Sequence, residues 1–158
     1  MSVRGFFRRA GGAIGVWLYR RTDGRAVPGP GASRVLLLTT RGRRSGEPRS
    51  TCVGALPVDD GFIVWGTGSG APRDPHWFRN LRAAGRTDVQ AGSRRFAADV
   101  RELHGAERDA AWQEVIERVP GVERYERRSG RTIPVARLTP VAAEAPGVRP
   151  PARRIGPT

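Results

Sequence analysis

The 158-residue sequence contains no lysine, one cysteine, one methionine and two histidines. A single cysteine, Cys52, excludes an intrachain disulfide. His76 and His104 stand apart, with no partner at zinc-ligand spacing, so metal binding is not expected. Aromatic residues supply only 7% of the chain and hydrophobic residues 38%, which leaves part of it outside a packed core. No segment approaches the ~18–20 apolar residues of a membrane span. The N-terminus has neither the uninterrupted apolar core nor the cleavage site of a secretory signal. These absences predict a cytoplasmic protein, resting at most on the inner face of a membrane. Three catalytic or nucleotide-binding signatures are also missing. There is no G-x-x-x-x-G-K-[ST] loop, no G-x-S-x-G elbow, and no G-x-G-x-x-G bridging a strand and a helix. A Walker-type site and a doubly wound dinucleotide fold are therefore not expected.

What the chain does have is positive charge. The formal net charge is +13, carried entirely by arginine. Absence of lysine beside abundant Ala, Gly and Arg is the composition of a GC-rich genome, so the arginine count alone says little. The net charge still predicts attraction to anions: nucleic acid, anionic lipid or a polyanionic cofactor. The most informative stretch is Leu36–Arg49. An apolar run, Leu36-Leu37-Leu38, fits a buried strand and stops at Thr39-Thr40-Arg41-Gly42-Arg43-Arg44-Ser45-Gly46-Glu47-Pro48-Arg49. Glycines there let the backbone turn and approach a ligand. Arg43, Arg44 and Arg49 can converge on one phosphate, whose geometry matches the guanidinium fork.

At this length a single domain with a sizeable core is expected. Residues 2–20, within an N-terminal segment 1–21, read as an amphipathic helix. Val3, Phe6, Phe7, Ala10, Ile14, Trp17 and Leu18 form one apolar stripe flanked by arginines. That stripe docks on the domain core, or lies in an anionic membrane interface. Residues 22–33 are a turn-rich connector. Strands are predicted over 34–40, 49–56 and 61–67, then a hairpin of 87–91 and 94–103 around Gly92-Ser93, and a last strand over 132–139. Pro134 places that last strand at an edge or delays its start. Asp74-Pro75 reads as a cap opening a helix over 75–83. Further helices are predicted over 105–119 and 121–128. Residues 141–158 are expected to be a disordered tail beyond a domain spanning 34–140. Closely spaced strands without helical crossovers favour an antiparallel α+β sheet or barrel.

Conventional catalytic groupings are sparse. Cys52 sits within a strand, where a small packed thiol is its ordinary role. The acidic residues of the late helices pair with arginines, as Glu114 and Arg118 do at i, i+4. What remains is a binding constellation: the arginine loop, the Gly66-Thr67-Gly68-Ser69-Gly70 segment, and the start of the 75–83 helix. A phosphate-bearing cofactor with a flat ring suits these parts. Such a cofactor would explain the scarcity of catalytic side chains.

Three motifs in this order resemble the deazaflavin-dependent nitroreductase family of coenzyme F420-dependent oxidoreductases. They are Leu38–Arg49, Pro75-His76-Trp77-Phe78-Arg79-Asn80-Leu81 and Arg131-Thr132-Ile133-Pro134-Val135. The resemblance covers roughly residues 13–140 and implies a split β-barrel. It implies that Arg43, Arg44, Ser45, Gly46 and Arg49 hold the cofactor phosphate. Ser50, Thr51, Cys52, Val53 and Gly54 would form one wall against the deazaflavin ring, and Trp65, Gly66, Thr67 and Gly68 a second. His76, Trp77, Phe78 and Asn80 would complete the pocket. Ordinary packing is the competing role for each, and it is strongest for Trp77 and Leu81.

The resemblance further implies hydride transfer from reduced F420 to an electron-poor acceptor. Thr67 is then the residue that bonds ring or acceptor, and Tyr125 the proton donor or pocket wall. Val119, Val122 and Gly54 stand where tyrosines line the pocket in nitroimidazole-reducing members. A roomier, more apolar pocket and a quinone-like rather than bulky nitroaromatic acceptor follow. Other readings compete: flavin mononucleotide in place of F420, a non-catalytic F420 carrier, or a basic nucleic-acid-binding module. Against the last, aromatics and arginines do not interleave on successive strands as a stacking platform requires, so specific nucleic-acid binding is not expected. The sequence leaves the oligomeric state open.

Overall fold

The computed structural model describes residues 12–142. Six strands, all antiparallel to their neighbours, close into a barrel in the order β1-β2-β3-β6-β5-β4. They are β1 (Arg34–Arg41), β2 (Pro48–Val58), β3 (Gly61–Trp65), β4 (Arg86–Ala91), β5 (Arg94–Glu102) and β6 (Val135–Pro140). Four α-helices surround it: α1 (Ala13–Thr22), α2 (His76–Ala84), α3 (Gly105–Arg118) and α4 (Glu123–Ser129). A single 3-10 turn spans Gly68–Gly70.

β1 shows why the strands look as they do. Leu36 and Leu38 face the barrel interior, and Val35 and Leu37 face outward beneath α1. Both faces are buried, so the strand is apolar at successive positions. The interior is filled by side chains from the strands together with Phe78 and Leu81 of α2, which enter it as a plug. Burying a side chain of that size contributes about 1.5–3 kcal/mol relative to exposure. Two outer clusters flank the barrel. One joins Leu56, Ile63 and Val135 to Trp112 and Val115 of α3 and Tyr125 of α4. The other joins Val35, Leu37 and Cys52 to Val16 and Tyr19 of α1.

The barrel seam is short. β1 pairs with β4 only at Leu37–Thr39. Tyr19 reinforces it from outside. Its hydroxyl lies 2.8 Å from the Val35 carbonyl and 3.1 Å from that of Gln90, and it accepts the Gly92 N–H at 3.0 Å. Thr40 and Thr87 bond across the seam at 2.7 Å.

Several expectations change. The described helix runs from Ala13, and residues 2–11 of the expected helix lie outside the described residues. Of the expected stripe, only Ile14, Trp17 and Leu18 lie within the described residues; Leu18 packs against the cluster under α1, but Ile14 and Trp17 do not dock. Ile14 is 81% and Trp17 60% exposed, while Gly15, Val16 and Tyr19 face the barrel. Gly15 brings the helix backbone close, and the Tyr19 hydroxyl finds partners that a Trp or Ile could not supply. Asp74 does not cap α2. Its carboxylate binds Arg131 and Arg82, and the helix starts from Pro75. β6 begins late, after Pro134, and has neighbours on both sides, so it is no edge. Of the tail, residues 143–158 lie outside the described residues.

Candidate functional site

The β1–β2 hairpin folds the arginine loop into a tight bend. Gly42 N–H donates to the Glu47 carbonyl at 2.8 Å, and Gly46 N–H donates to the Gly42 carbonyl at 2.9 Å. Gly46 has φ +72°, a left-handed conformation costly for residues with a Cβ. The loop is pinned to α2. Arg43 donates to Asn80 Oδ1 from its backbone N–H at 3.3 Å and from Nη1 at 2.8 Å, and its Nη2 lies 3.2 Å from His76 Nδ1. Asn80 is itself buried, so its orientation is fixed by packing. Burial, and the neighbouring Arg79 and Arg44 guanidiniums, push Arg43 below the ordinary arginine value. Neither Arg44 nor Arg49 pairs with a carboxylate among the described residues. This is a concentration of like charge that an anion would relieve.

Beside the loop lies a cleft of about 240 Å3. Its floor is the β2 segment Thr51, Cys52, Val53 and Gly54 with Trp65 of β3. Thr67, Gly68 and Ser69 form one side, and Pro75 and Trp77 the next. Its roof is Val119, Pro120, Val122, Arg124 and Tyr125, with Pro30 from the connector. The Gly66–Asp74 wall is held by Arg131. Its guanidinium donates to the carbonyls of Ala71 (3.0 Å), Gly66 (2.9 Å) and Thr67 (3.1 Å) and to Asp74 Oδ1 (2.8 Å). Ser69, at φ 57°, is one of two non-glycine residues with positive φ among the described residues. Arg108 braces the roof from behind, donating to the Ile133 carbonyl at 2.6 and 3.0 Å, while Trp112 Nε1 donates to Glu126 at 2.8 Å.

The family model described as F420H(2)-dependent quinone reductase matches residues 13–140. The chain belongs to that family. An F420H(2)-dependent quinone reductase of Mycobacterium tuberculosis is 33% identical over 126 residues, 77% of this chain and 85% of the relative. A relative from Mycobacterium bovis matches to the same extent. Among solved structures, an F420-H2 dependent reductase superposes with TM-score 0.60 at 28% identity, covering 66% of this chain and 92% of that one. A structure described as a domain-swapped dimer gives TM-score 0.62 at 26% identity, over 77% and 96% of the two chains. The chain is thus an F420-dependent reductase with the split-barrel fold, and its cofactor is coenzyme F420.

Within this family member the residues suit that cofactor. An arginine loop whose Arg44 and Arg49 pair with no carboxylate among the described residues offers charge-assisted hydrogen bonds to a phosphate. The adjoining cleft offers a floor of mostly small side chains and backbone to a flat ring. Arg43, Arg44, Ser45, Gly46 and Arg49 would hold the phosphate, and Thr51, Val53, Gly54, Thr67 and Gly68 would face the ring.

Other expected site residues have different surroundings. Phe78 is fully buried in the barrel interior and does not line the cleft. Gly66 serves the same packing: a Cβ there would come 3.1–3.2 Å from Pro134 and Phe78, so its small size admits the core rather than a ligand. Cys52 lines the floor, but its thiol turns to the Gly15 carbonyl at 3.8 Å, and burial pushes it up to about 11. Ser50 points toward α1 and Thr39, bonding Arg20 at 3.0 Å and Thr39 at 2.8 Å. His76 and Asn80 act on the loop through Arg43, outside the cleft. Sequence reasoning missed Arg131, Arg124, Pro120 and Pro30 as site residues. Arg131 stood inside a recognised motif, and its four backbone and carboxylate partners lie 57 or more positions away.

Proposed function

We propose that this protein reduces a quinone with F420H2, binding the cofactor between the arginine loop and the cleft floor and the acceptor under the roof. The observation that carries this reading is the roof itself. Val119, Val122 and Tyr125 are buried in one packing cluster and also line the cleft, so the acceptor side is apolar and preformed. An apolar planar acceptor fits such a surface, and the M. tuberculosis relative, a quinone reductase, points the same way. F420H2, when bound, supplies a hydride. The chain's own residues bind it, orient it and exclude water. Thr67 lines the cleft and is assigned a hydrogen bond to the ring or the acceptor. Tyr125, whose hydroxyl bonds no described residue, is assigned the proton or one wall of the acceptor pocket.

The outward face of α1 supports a membrane location for this reaction. Ile14 and Trp17 are exposed, with Arg20 and Arg21 in the last turn, which is the pattern of a helix lying on anionic lipid. No described helix is long and apolar enough to cross a membrane.

The test is a titration with oxidised and reduced F420, with flavin mononucleotide and a short DNA duplex as controls, followed by turnover with menadione. Saturable binding of F420 alone and oxidation of F420H2 that depends on menadione are expected. Binding of F420 without menadione turnover would leave a carrier. Preference for flavin mononucleotide would overturn the cofactor arrangement at the loop.

A further inference from the structure

Arg124 is the one charged residue among those lining the cleft. It is exposed and makes no hydrogen bond or ion pair with any described residue. Its position is nevertheless defined. The guanidinium carbon lies 5.3 Å from the centre of the Tyr125 ring. A Cβ at Gly121 would lie 3.6 Å from the same carbon, so the side chain folds back over the Pro120–Gly121 turn. A cation is thereby placed at the rim of an apolar roof formed by Val119, Val122 and Tyr125.

We infer that Arg124 is an acceptor-binding residue, which holds a carbonyl oxygen of the quinone and favours acceptors whose oxygen becomes anionic during reduction. The assignment rests on the quinone reading above. Reduction of a quinone to the quinol adds a hydride and one proton. The hydride comes from F420H2, which releases its remaining proton to solvent and is left oxidised, and the quinone's proton comes from water or a protein hydroxyl. Until that proton arrives, one quinone oxygen carries the added electron pair as negative charge. A guanidinium stays charged at all relevant pH and can donate to that oxygen with two N–H groups. A bond that strengthens as charge develops lowers the barrier rather than only the KM. The Tyr125 ring lies against the guanidinium without neutralising it.

The experiment compares native protein with Arg124→Leu and Arg124→Lys, using menadione and its anionic relative 1,4-naphthoquinone-2-sulfonate. In the Leu variant kcat/KM for menadione should fall roughly 10- to 100-fold, the range set by one charge-assisted hydrogen bond, with most of the loss in kcat. The loss should be larger for the sulfonate. The Lys variant should recover much of the activity. F420 affinity and the thermal midpoint should match native in both variants, since Arg124 bonds nothing in the fold. A Leu variant within twofold of native on both quinones would overturn the assignment. So would a loss of F420 affinity that tracks the loss of turnover, which would place Arg124 on the cofactor. Native protein that binds F420H2 but reduces neither quinone would instead overturn the quinone reading, and this assignment with it.

Discussion

Replacing Arg131 by methionine removes the brace behind the cleft wall. Methionine keeps most of the buried stem and deletes the guanidinium, which donates to three carbonyls and to Asp74. The side chain is 15% exposed and that of Asp74 24%, so these partners are largely shielded from water. Hydrogen bonds to a charged group are worth about 1.5–3 kcal/mol each, but four of them do not add. Thr67 and Ala71 are half-buried, so their carbonyls regain water, whereas that of the buried Gly66 does not, and Asp74 keeps Arg82 at 2.9 Å. The expected loss is therefore about 3–4 kcal/mol, close to that of breaking a buried ion pair from one side. For a domain of this size it corresponds to a fall of roughly 10 °C in Tm. Urea unfolding followed by tryptophan fluorescence reads it as a lower midpoint at unchanged m-value. F420 affinity should fall in the same variant, because Thr67 and Gly68 lose their support. A midpoint equivalent to less than 1 kcal/mol, together with native F420 affinity, would refute the claim that Arg131 builds this wall.

Arg49→Ala should weaken F420 binding by about 1.5–3 kcal/mol without changing stability, since Arg49 is exposed and has no carboxylate partner among the described residues; an unchanged dissociation constant removes it from the phosphate site. Cys52, with its thiol pushed up to about 11 by burial, should resist a thiol reagent at pH 8 until urea unfolds the chain. Rapid stoichiometric labelling of the native protein would contradict that burial. The Arg82 hydrogen bond holds the Glu102 carboxyl below its ordinary value, against the opposing effect of burial. A lowered folded-state value stabilises above the unfolded carboxyl range near ~4.3 and is lost as pH falls through the folded value. Arg82 is 42% exposed, so Glu102→Gln should cost at most about 1 kcal/mol at pH 7. The gap from native should close under acid, and a gap that persists at pH 2 would mean the loss is not electrostatic.

The barrel was legible because its signals are local. Hairpin turns, alternation and the abrupt end of Leu36–Leu38 depend on neighbours within a few residues. The arginine loop was legible for the same reason. Pro134 delayed β6 as its missing N–H requires. The docking face of α1 was not legible. Hydrophobicity marked Ile14 and Trp17, whereas the contact was decided by the closeness Gly15 allows and by three polar partners for the Tyr19 hydroxyl. Phe78 shows a similar limit. Its motif neighbours His76 and Asn80 reach the loop, but the helix turns Phe78 to the opposite side and into the barrel. Arg131 and Arg124 escaped notice because an arginine in an arginine-rich chain is inconspicuous until its partners, or their absence, are seen.

The two sides of the cleft are inherited differently along the chain. Its floor and anion loop draw on β1, β2, β3 and α2, and the same residues fill the barrel or anchor to it. The roof, apart from Pro30, comes from one short run, residues 119–125, joined to the barrel through a single outer cluster. A change in the floor therefore disturbs folding and cofactor together, and so does one at the buried Val119, Val122 or Tyr125, while a change at the exposed Pro120 or Arg124 is felt by little else. On the proposed assignment, descendants of this chain can drift among acceptors by rewriting the exposed roof positions Pro120 and Arg124, with the cofactor and the packed cluster left as they are.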